Sequence, residues 1–254
     1  MARVIVLGSG TSSGVPIAGF DYPDAFLAQP RNWRTRPSLL IEGPEGNLLV
    51  DCGPDLRTQL LREKVKRIDA ALITHTHADH IMGMDDLRPF CLLRGSAMPI
   101  YTSPEYQADI RRIFPYAFAD FPPGIEVPRF ELRDVPVDLE VCGLSLKTFW
   151  VLHGMMPVLG FRLGGFAYVT DVSEIPESVW PELLGLEVLI LDAVRRKPHP
   201  NHFHFDRAIE VAQQLGARQT YFTHLSHDFD HDETNASLPP EIQLSYDGQV
   251  IDLG

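Results

Sequence analysis

Cysteine is scarce in this chain of 254 residues. Cys52, Cys91 and Cys142 are odd in number, far apart and without a Cys-x-x-Cys pair. That excludes a disulfide framework and a cysteine-built zinc knuckle, and it fits a reducing compartment. No apolar run approaches the roughly 20 residues needed to cross a bilayer. Met1-Ala-Arg3 leads directly into a short strand and not into a secretory leader. The expected location is therefore the cytoplasm, with no membrane partner. Positive charge is the minority: 22 Lys and Arg against 34 Asp and Glu leave a formal charge of −12. That balance opposes binding to extended nucleic acid. The glycine-rich loop Gly8-Ser-Gly-Thr-Ser-Ser-Gly14 lacks the lysine of a Walker-type nucleotide loop. Internal repeats, low-complexity tracts and breaks in composition are absent too. Residues 1–254 accordingly read as one domain, and 44% hydrophobic residues suffice for a sizeable core.

Histidine and aspartate, by contrast, are concentrated. Ala70 to Ile73 reads as a buried strand, and His75, His77, Asp79 and His80 follow within six positions. Three imidazoles and a carboxylate so close together suit zinc, manganese, iron or nickel. His75 and His77, two apart on extended chain, can converge on one ion. Asp79 and His80, at the start of a short helix, point elsewhere and suit a second.

The same punctuation recurs. Leu48–Asp51, Leu72–His75, Phe149–His153, Phe166–Asp171, Val188–Asp192 and Thr220–His224 are all apolar runs closed by His or Asp. Six such endings predict strand ends that meet at one polar site. Other expected elements are a strand at Val4–Leu7, a loop excursion over 18–37 and a hairpin of Leu39–Ile41 with Leu48–Val50. Helices are expected over Pro54–Glu63, Pro104–Phe114, Glu177–Leu184 and Asp206–Leu215. The stretch 115–128 reads as irregular, 129–150 as short strands, and Ile242–Leu253 as a hairpin turning at Asp247-Gly248.

The run His75-Thr-His77-Ala-Asp79-His80 after an apolar strand resembles the signature of the metallo-β-lactamase superfamily. The resemblance implies a four-layer αββα sandwich of the α/β class and a dinuclear site at one edge of its two sheets. His75, His77 and His153 would hold one divalent ion, zinc or manganese. Asp79, His80 and His224 would hold the other, and Asp171 would bridge them. A hydroxide shared by the ions would be the nucleophile.

Gly8–Pro16, Arg36-Pro-Ser38, Met84–Phe90 and Thr223–His227 are similar to one branch of that superfamily. It contains the phosphodiesterase of the bacterial carbon–phosphorus lyase pathway and, nearby, the RNase Z-type nucleases. The expected activity is hydrolysis of a small phosphate diester, with a cyclic ribosyl phosphate as the narrower candidate. The catalytic set would be Asp79 with His202 as general acid, or His204 in its place. Arg88, Ser12 and Ser13 are candidate substrate contacts. Branch members carry a cysteine cluster that holds a structural zinc together with a later histidine. Here Phe20, Tyr22 and Ala25 stand at those positions while His227 persists. No structural zinc is expected, and aromatic packing must hold the excursion instead. A small phosphate ester is the expected partner, nucleic acid is not, and a homodimer is left open. The alternatives are a tRNA 3′-end endonuclease, a thioester or lactone hydrolase, and a catalytically silent metal-binding protein.

Overall fold

The computed structural model describes residues 2–122 and 124–253. Six strands come first: β1 (Ala2–Gly8), β2 (Ser38–Glu42), β3 (Asn47–Val50), β4 (Ala70–Leu72), β5 (Met98–Thr102) and β6 (Phe130–Asp134). Seven more form a second sheet: β7 (Asp138–Val141), β8 (Leu144–His153), β9 (Met156–Leu163), β10 (Phe166–Val169), β11 (Val188–Asp192), β12 (Gln219–Thr223) and β13 (Ile242–Leu244). The last strand, β14 (Gln249–Leu253), returns to the first sheet beside β1. The orders are β14-β1-β2-β3-β4-β5-β6 and β13-β12-β11-β10-β9-β8-β7.

Side-chain alternation along the strands builds three apolar layers. Val4, Val6, Leu39, Ile41, Leu48, Val50, Ala70 and Leu72 face the second sheet, meeting Leu146, Leu159, Phe161, Tyr168 and Ile190. Their neighbours Ile5, Leu7, Leu40, Leu49 and Ala71 face outward. Leu56 and Leu60 of α2 (Leu56–Arg62), Ile81 of α3 (Ala78–Ile81), Cys91 of α4 (Arg88–Arg94) and Ile110 of α5 (Pro104–Ile113) cover them. Across the molecule, Ala208, Val211, Ala212 and Leu215 of α6 (Phe205–Leu215) pack on Leu189, Leu191 and Phe222. Helix, sheet, sheet, helix is the expected αββα order. No helix among the described residues is long and apolar enough to cross a membrane.

Several expectations need correction. The tail is not a hairpin, because β13 pairs with β12 in one sheet and β14 with β1 in the other. The polar turn between them is a crossover. Asp247 does not tip a hairpin; its carboxylate accepts bonds from the backbone and hydroxyl of Ser9 and of Thr35. The helix expected over Glu177–Leu184 shrinks to a 3-10 turn, Trp180–Leu183. Pro176 and Pro181 remove two donors, and Trp180, before a proline, disfavours α geometry. The 18–37 excursion is mostly loop but holds a five-residue helix, α1 (Asp24–Ala28). α4, β9 and a helix over His231–Ser237 had no counterpart in the reading. Within the irregular stretch expected over 115–128, position 123 lies outside the described residues.

The excursion is held by aromatic contacts, as its sequence demanded. Tyr22 stacks on Phe26 with centroids 5.3 Å apart, and the Tyr22 hydroxyl lies 3.0 Å from His227 Nδ1. The Phe20 ring is 5.7 Å from the His227 ring.

Candidate metal centre

The six strand ends do meet. Asp51 follows β3, Thr74 and His75 follow β4, His153 closes β8, Asp171 follows β10, Asp192 closes β11 and His224 follows β12. Three of these leave their strands with positive φ: Asp51 at 60°, Asp171 at 49° and His224 at 58°. A left-handed residue without glycine costs about 1–3 kcal/mol. Here each one swings a polar side chain off the strand and into the same space. The short helix α3 delivers Asp79 and His80. It sits close to the Asp51–Gly53 turn, where a Cβ on Gly53 would collide with the Asp79 carbonyl and one on Gly83 with the Gly53 carbonyl.

The ligand-type atoms are tightly grouped. His80 Nε2 lies 3.4 Å from Asp79 Oδ2 and 3.3 Å from Asp171 Oδ2. His224 Nε2 lies 3.4 Å from Asp79 Oδ2 and 3.3 Å from Asp171 Oδ1. Tetrahedral bonds of 2.0–2.2 Å to zinc imply ligand atoms about 3.4 Å apart, so this set fits an ion. His75 Nε2 is 3.0 Å from His77 Nδ1 and 4.0 Å from Asp171 Oδ1. His77, His153 and Asp171 bring ligand atoms within 4.8 Å of one another. His80 Nε2, buried among them, has no hydrogen-bond partner. An orphaned imidazole nitrogen aimed at carboxylate oxygens is what a cation would satisfy.

A second ring of groups turns each imidazole to present the required nitrogen. Asp51 Oδ2 lies 2.7 Å from His80 Nδ1 and also accepts from the Thr74 hydroxyl at 2.8 Å. The Asn201 carbonyl lies 2.7 Å from His153 Nδ1. Asp192 Oδ2 lies 2.9 Å from His202 Nδ1, while its Oδ1 faces His224 Nδ1 at 3.8 Å. Asp51 and Asp192 were visible as strand ends but carried no assigned role. Nothing in sequence distinguishes a carboxylate that binds from one that orients a binder.

Charge explains the titration of this cluster. Burial works to raise the Asp171 carboxyl, but His224, His80 and His75 hold it well below the usual carboxylate range. Burial works to lower His224, but Asp171, the bond to Asp79, and Asp192 hold it up at about 9. His75 is pushed well down, first by burial and then by the charge on His80.

His202 stands at the rim of the cluster. Its ring is 4.3 Å from the His153 ring and 4.8 Å from the His224 ring, and its Nε2 is 3.9 Å from Asp171 Oδ1. His204 is elsewhere: it is the N-cap residue of α6 and joins none of the metal-ligand groupings. Ser12 and Ser13 are exposed on a loop stitched beside His224, with Thr11 N donating to the Leu225 carbonyl at 3.2 Å. Arg88 is engaged by Asp85, which also accepts from the Tyr116 hydroxyl at 2.9 Å.

An αββα sandwich with buried histidines and aspartates gathered at its edge defines a metal-dependent hydrolase. The family model for the beta-lactamase superfamily domain matches residues 46–225, and the chain belongs to the metallo-β-lactamase superfamily. Among solved structures it is similar to a new diphosphatase from the PhnP family. The two share 40% identity and a TM-score of 0.91, over 98% of this chain and 96% of that one. It is 32% identical over 277 residues to ribonuclease Z of Methanopyrus kandleri, covering 88% of this chain and 94% of that protein. It is 37% identical over 252 residues to an octanoyltransferase of Porphyromonas gingivalis, covering 97% of this chain. The match spans only 50% of that relative, whose name describes a protein about twice as long.

Proposed function

We propose that the protein is a phosphodiesterase that hydrolyses a small phosphate diester at two divalent ions, zinc or manganese. His75, His77 and His153 hold one ion, Asp79, His80 and His224 the other, and Asp171 lies between. When bound, the ions supply an activated water and offset negative charge on the phosphoryl oxygens. The remaining requirement is a proton for the departing oxygen, and the chain's own residue for it is His202. Asp192 accepts from Nδ1 and thereby leaves the Nε2–H of protonated His202 as the donor toward the centre. Water's oxygen bonds to phosphorus, the bond from phosphorus to the departing oxygen breaks, and the His202 proton goes to that oxygen. The proton that water sheds passes to solvent and later restores His202.

The observation that carries this reading is His202 itself, held by a buried carboxylate with Nε2 3.9 Å from Asp171 Oδ1. The 40% identity to a diphosphatase supports a second reading within the same chemistry, in which the diester is a disubstituted diphosphate. The −12 charge argues against tRNA, although ribonuclease Z is among the relatives.

The test is His202→Ala, with His204→Ala beside it. His202→Ala keeps its metals and fold but loses roughly 10²–10⁴ in kcat on diesters with poor leaving groups. The loss shrinks on bis(p-nitrophenyl) phosphate, whose leaving group needs little protonation. Near-normal turnover of a poor-leaving-group diester by His202→Ala would remove His202 from the role. A matching loss in His204→Ala would assign it there.

A further inference from the structure

Between β11 and α6 the chain carries Arg195, Arg196 and Lys197, three consecutive cations in a protein of net charge −12. They lead directly into His199 and His202. Arg196 is committed to the fold: its guanidinium lies 5.1 Å from the Phe205 ring and 5.2 Å from the Phe229 ring, and bonds the Asp228 carbonyl. Arg195 is committed only in part. Its Nε and Nη2 donate to the carbonyls of Lys197 and Pro198 at 3.1 and 2.7 Å. Those acceptors are neutral, and among the described residues no carboxylate forms an ion pair with Arg195.

His199 has a defined proton. Its Nδ1 accepts from the Asn201 backbone N–H at 3.1 Å, so the neutral ring carries its hydrogen on Nε2. Burial, with positive charge on His202 and Arg195, holds it below the usual imidazole value and hence uncharged. Its ring is 4.8 Å from the His202 ring, and it joins none of the groupings of ligand atoms. Ring contacts thus run from the cluster to His202 and on to His199, and Arg195, held on the Pro198 carbonyl, lies near enough for its charge to act on His199.

In the reaction proposed above, on which this step rests, His202 marks where the departing oxygen sits. The groups next to His202 on its own turn are His199, in ring contact with it, and Arg195. We propose that Arg195 and His199 form an anion subsite for the departing phosphate of a small diphosphate diester. A guanidinium and a neutral N–H donor suit non-bridging phosphate oxygens, and a guanidinium is the better for its several donors. A neutral leaving group would leave both side chains unused.

The competing role for Arg195 is structural, bracing the loop that presents His202. Kinetics on two substrates separates the roles: a nucleoside-diphosphate sugar, which carries the second phosphate, and bis(p-nitrophenyl) phosphate, which does not. Arg195→Ala and His199→Ala should raise KM for the diphosphate by on the order of tenfold more than KM for bis(p-nitrophenyl) phosphate. His199→Gln, which keeps an N–H donor, should recover part of the difference, and metal content should match wild type. Arg218→Ala controls for lost charge, since Arg218 pairs with Glu187 at the opposite end of the strands. Equal KM changes on both substrates, or a fall confined to kcat, would overturn the subsite and leave the hydrolase reading standing. Wild-type turnover of bis(p-nitrophenyl) phosphate without any of the diphosphate would overturn the substrate class. Failure to cleave either would overturn the phosphodiesterase reading and this step together.

Discussion

Asp171 is the residue on which the proposed centre turns, because its two carboxylate oxygens face different imidazoles. Oδ2 lies 3.3 Å from His80 Nε2 and Oδ1 lies 3.3 Å from His224 Nε2. Asp171→Ala is therefore expected to take the protein from about two metal equivalents to below one and to remove activity with them. Metal analysis of protein purified without chelator decides it, and a wild-type content fixed at one equivalent would sink the two-ion reading. Away from the centre, His231 is a second informative residue. It is buried against Tyr246 with centroids 5.5 Å apart, and its Nδ1 has no hydrogen-bond partner. Burial, followed by the charges of Arg34 and Arg31, lowers it from 6.5 to about 4. The unfolded chain then binds a proton that the folded chain refuses between those values. Stability contributed by this site is whole above about 6.5 and is lost as pH falls toward 4. His231→Phe keeps the ring and removes the titration, so its melting temperature should fall less than wild type between pH 6.5 and 4.5. Parallel pH profiles for the two proteins would contradict the assignment.

At the scale of elements, legibility followed local rules and ended where pairing began. The strands and helices with strong period or punctuation came through: β1, the β2–β3 hairpin, β4, α5 and α6 lie within a few residues of where the sequence put them. So did the convergence of His- and Asp-ended strands, because a strand's end is a local property. The tail failed for the opposite reason. Asp247-Gly248 is a good hairpin turn by composition, yet the choice between hairpin and crossover depends on Ser9 and Thr35, more than two hundred positions away. Asp247 accepts two backbone N–H groups at 2.9 Å each, and Arg62 adds an ion pair at 3.1 Å. Asp247→Ala would leave these donors buried and unmatched, at a cost of about 2–4 kcal/mol. Denaturant melts should show that loss as a lower midpoint, with β14 amides exchanging faster than those of β13. Unchanged exchange in β14 would mean that β-pairing with β1 alone holds the tail.

For the whole molecule, the order of strands was the part no local rule could supply, since each sheet is read outward from pairings across the chain. That order has a consequence for stability. His75, His77, Asp79 and His80 hang from the first sheet, while His153, Asp171, His202 and His224 hang from the second. Apolar packing joins the sheets along their length, but at this edge polar side chains replace it. Without a cation, the edge holds crowded buried imidazoles that oppose one another's charge, as His80 does His75, and His80 Nε2 has no hydrogen-bond partner. Metal should then act as a staple between the sheets as well as a cofactor. A ligand present at a hundredfold its dissociation constant stabilises by about 2.7 kcal/mol, which for a chain of this size raises Tm by about 5–10 °C. Chelator-treated protein is expected to melt lower by that order, and zinc or manganese added back should restore it. Asp171→Ala should show a smaller rise in melting temperature with metal, in step with the metal it still retains, since each ion loses one ligand while His153 and His224 still face ligands of the first sheet. A wild-type melting temperature indifferent to chelator and to added metal, in protein shown to gain and lose the ions, would mean that the sheets are held by their apolar layer alone.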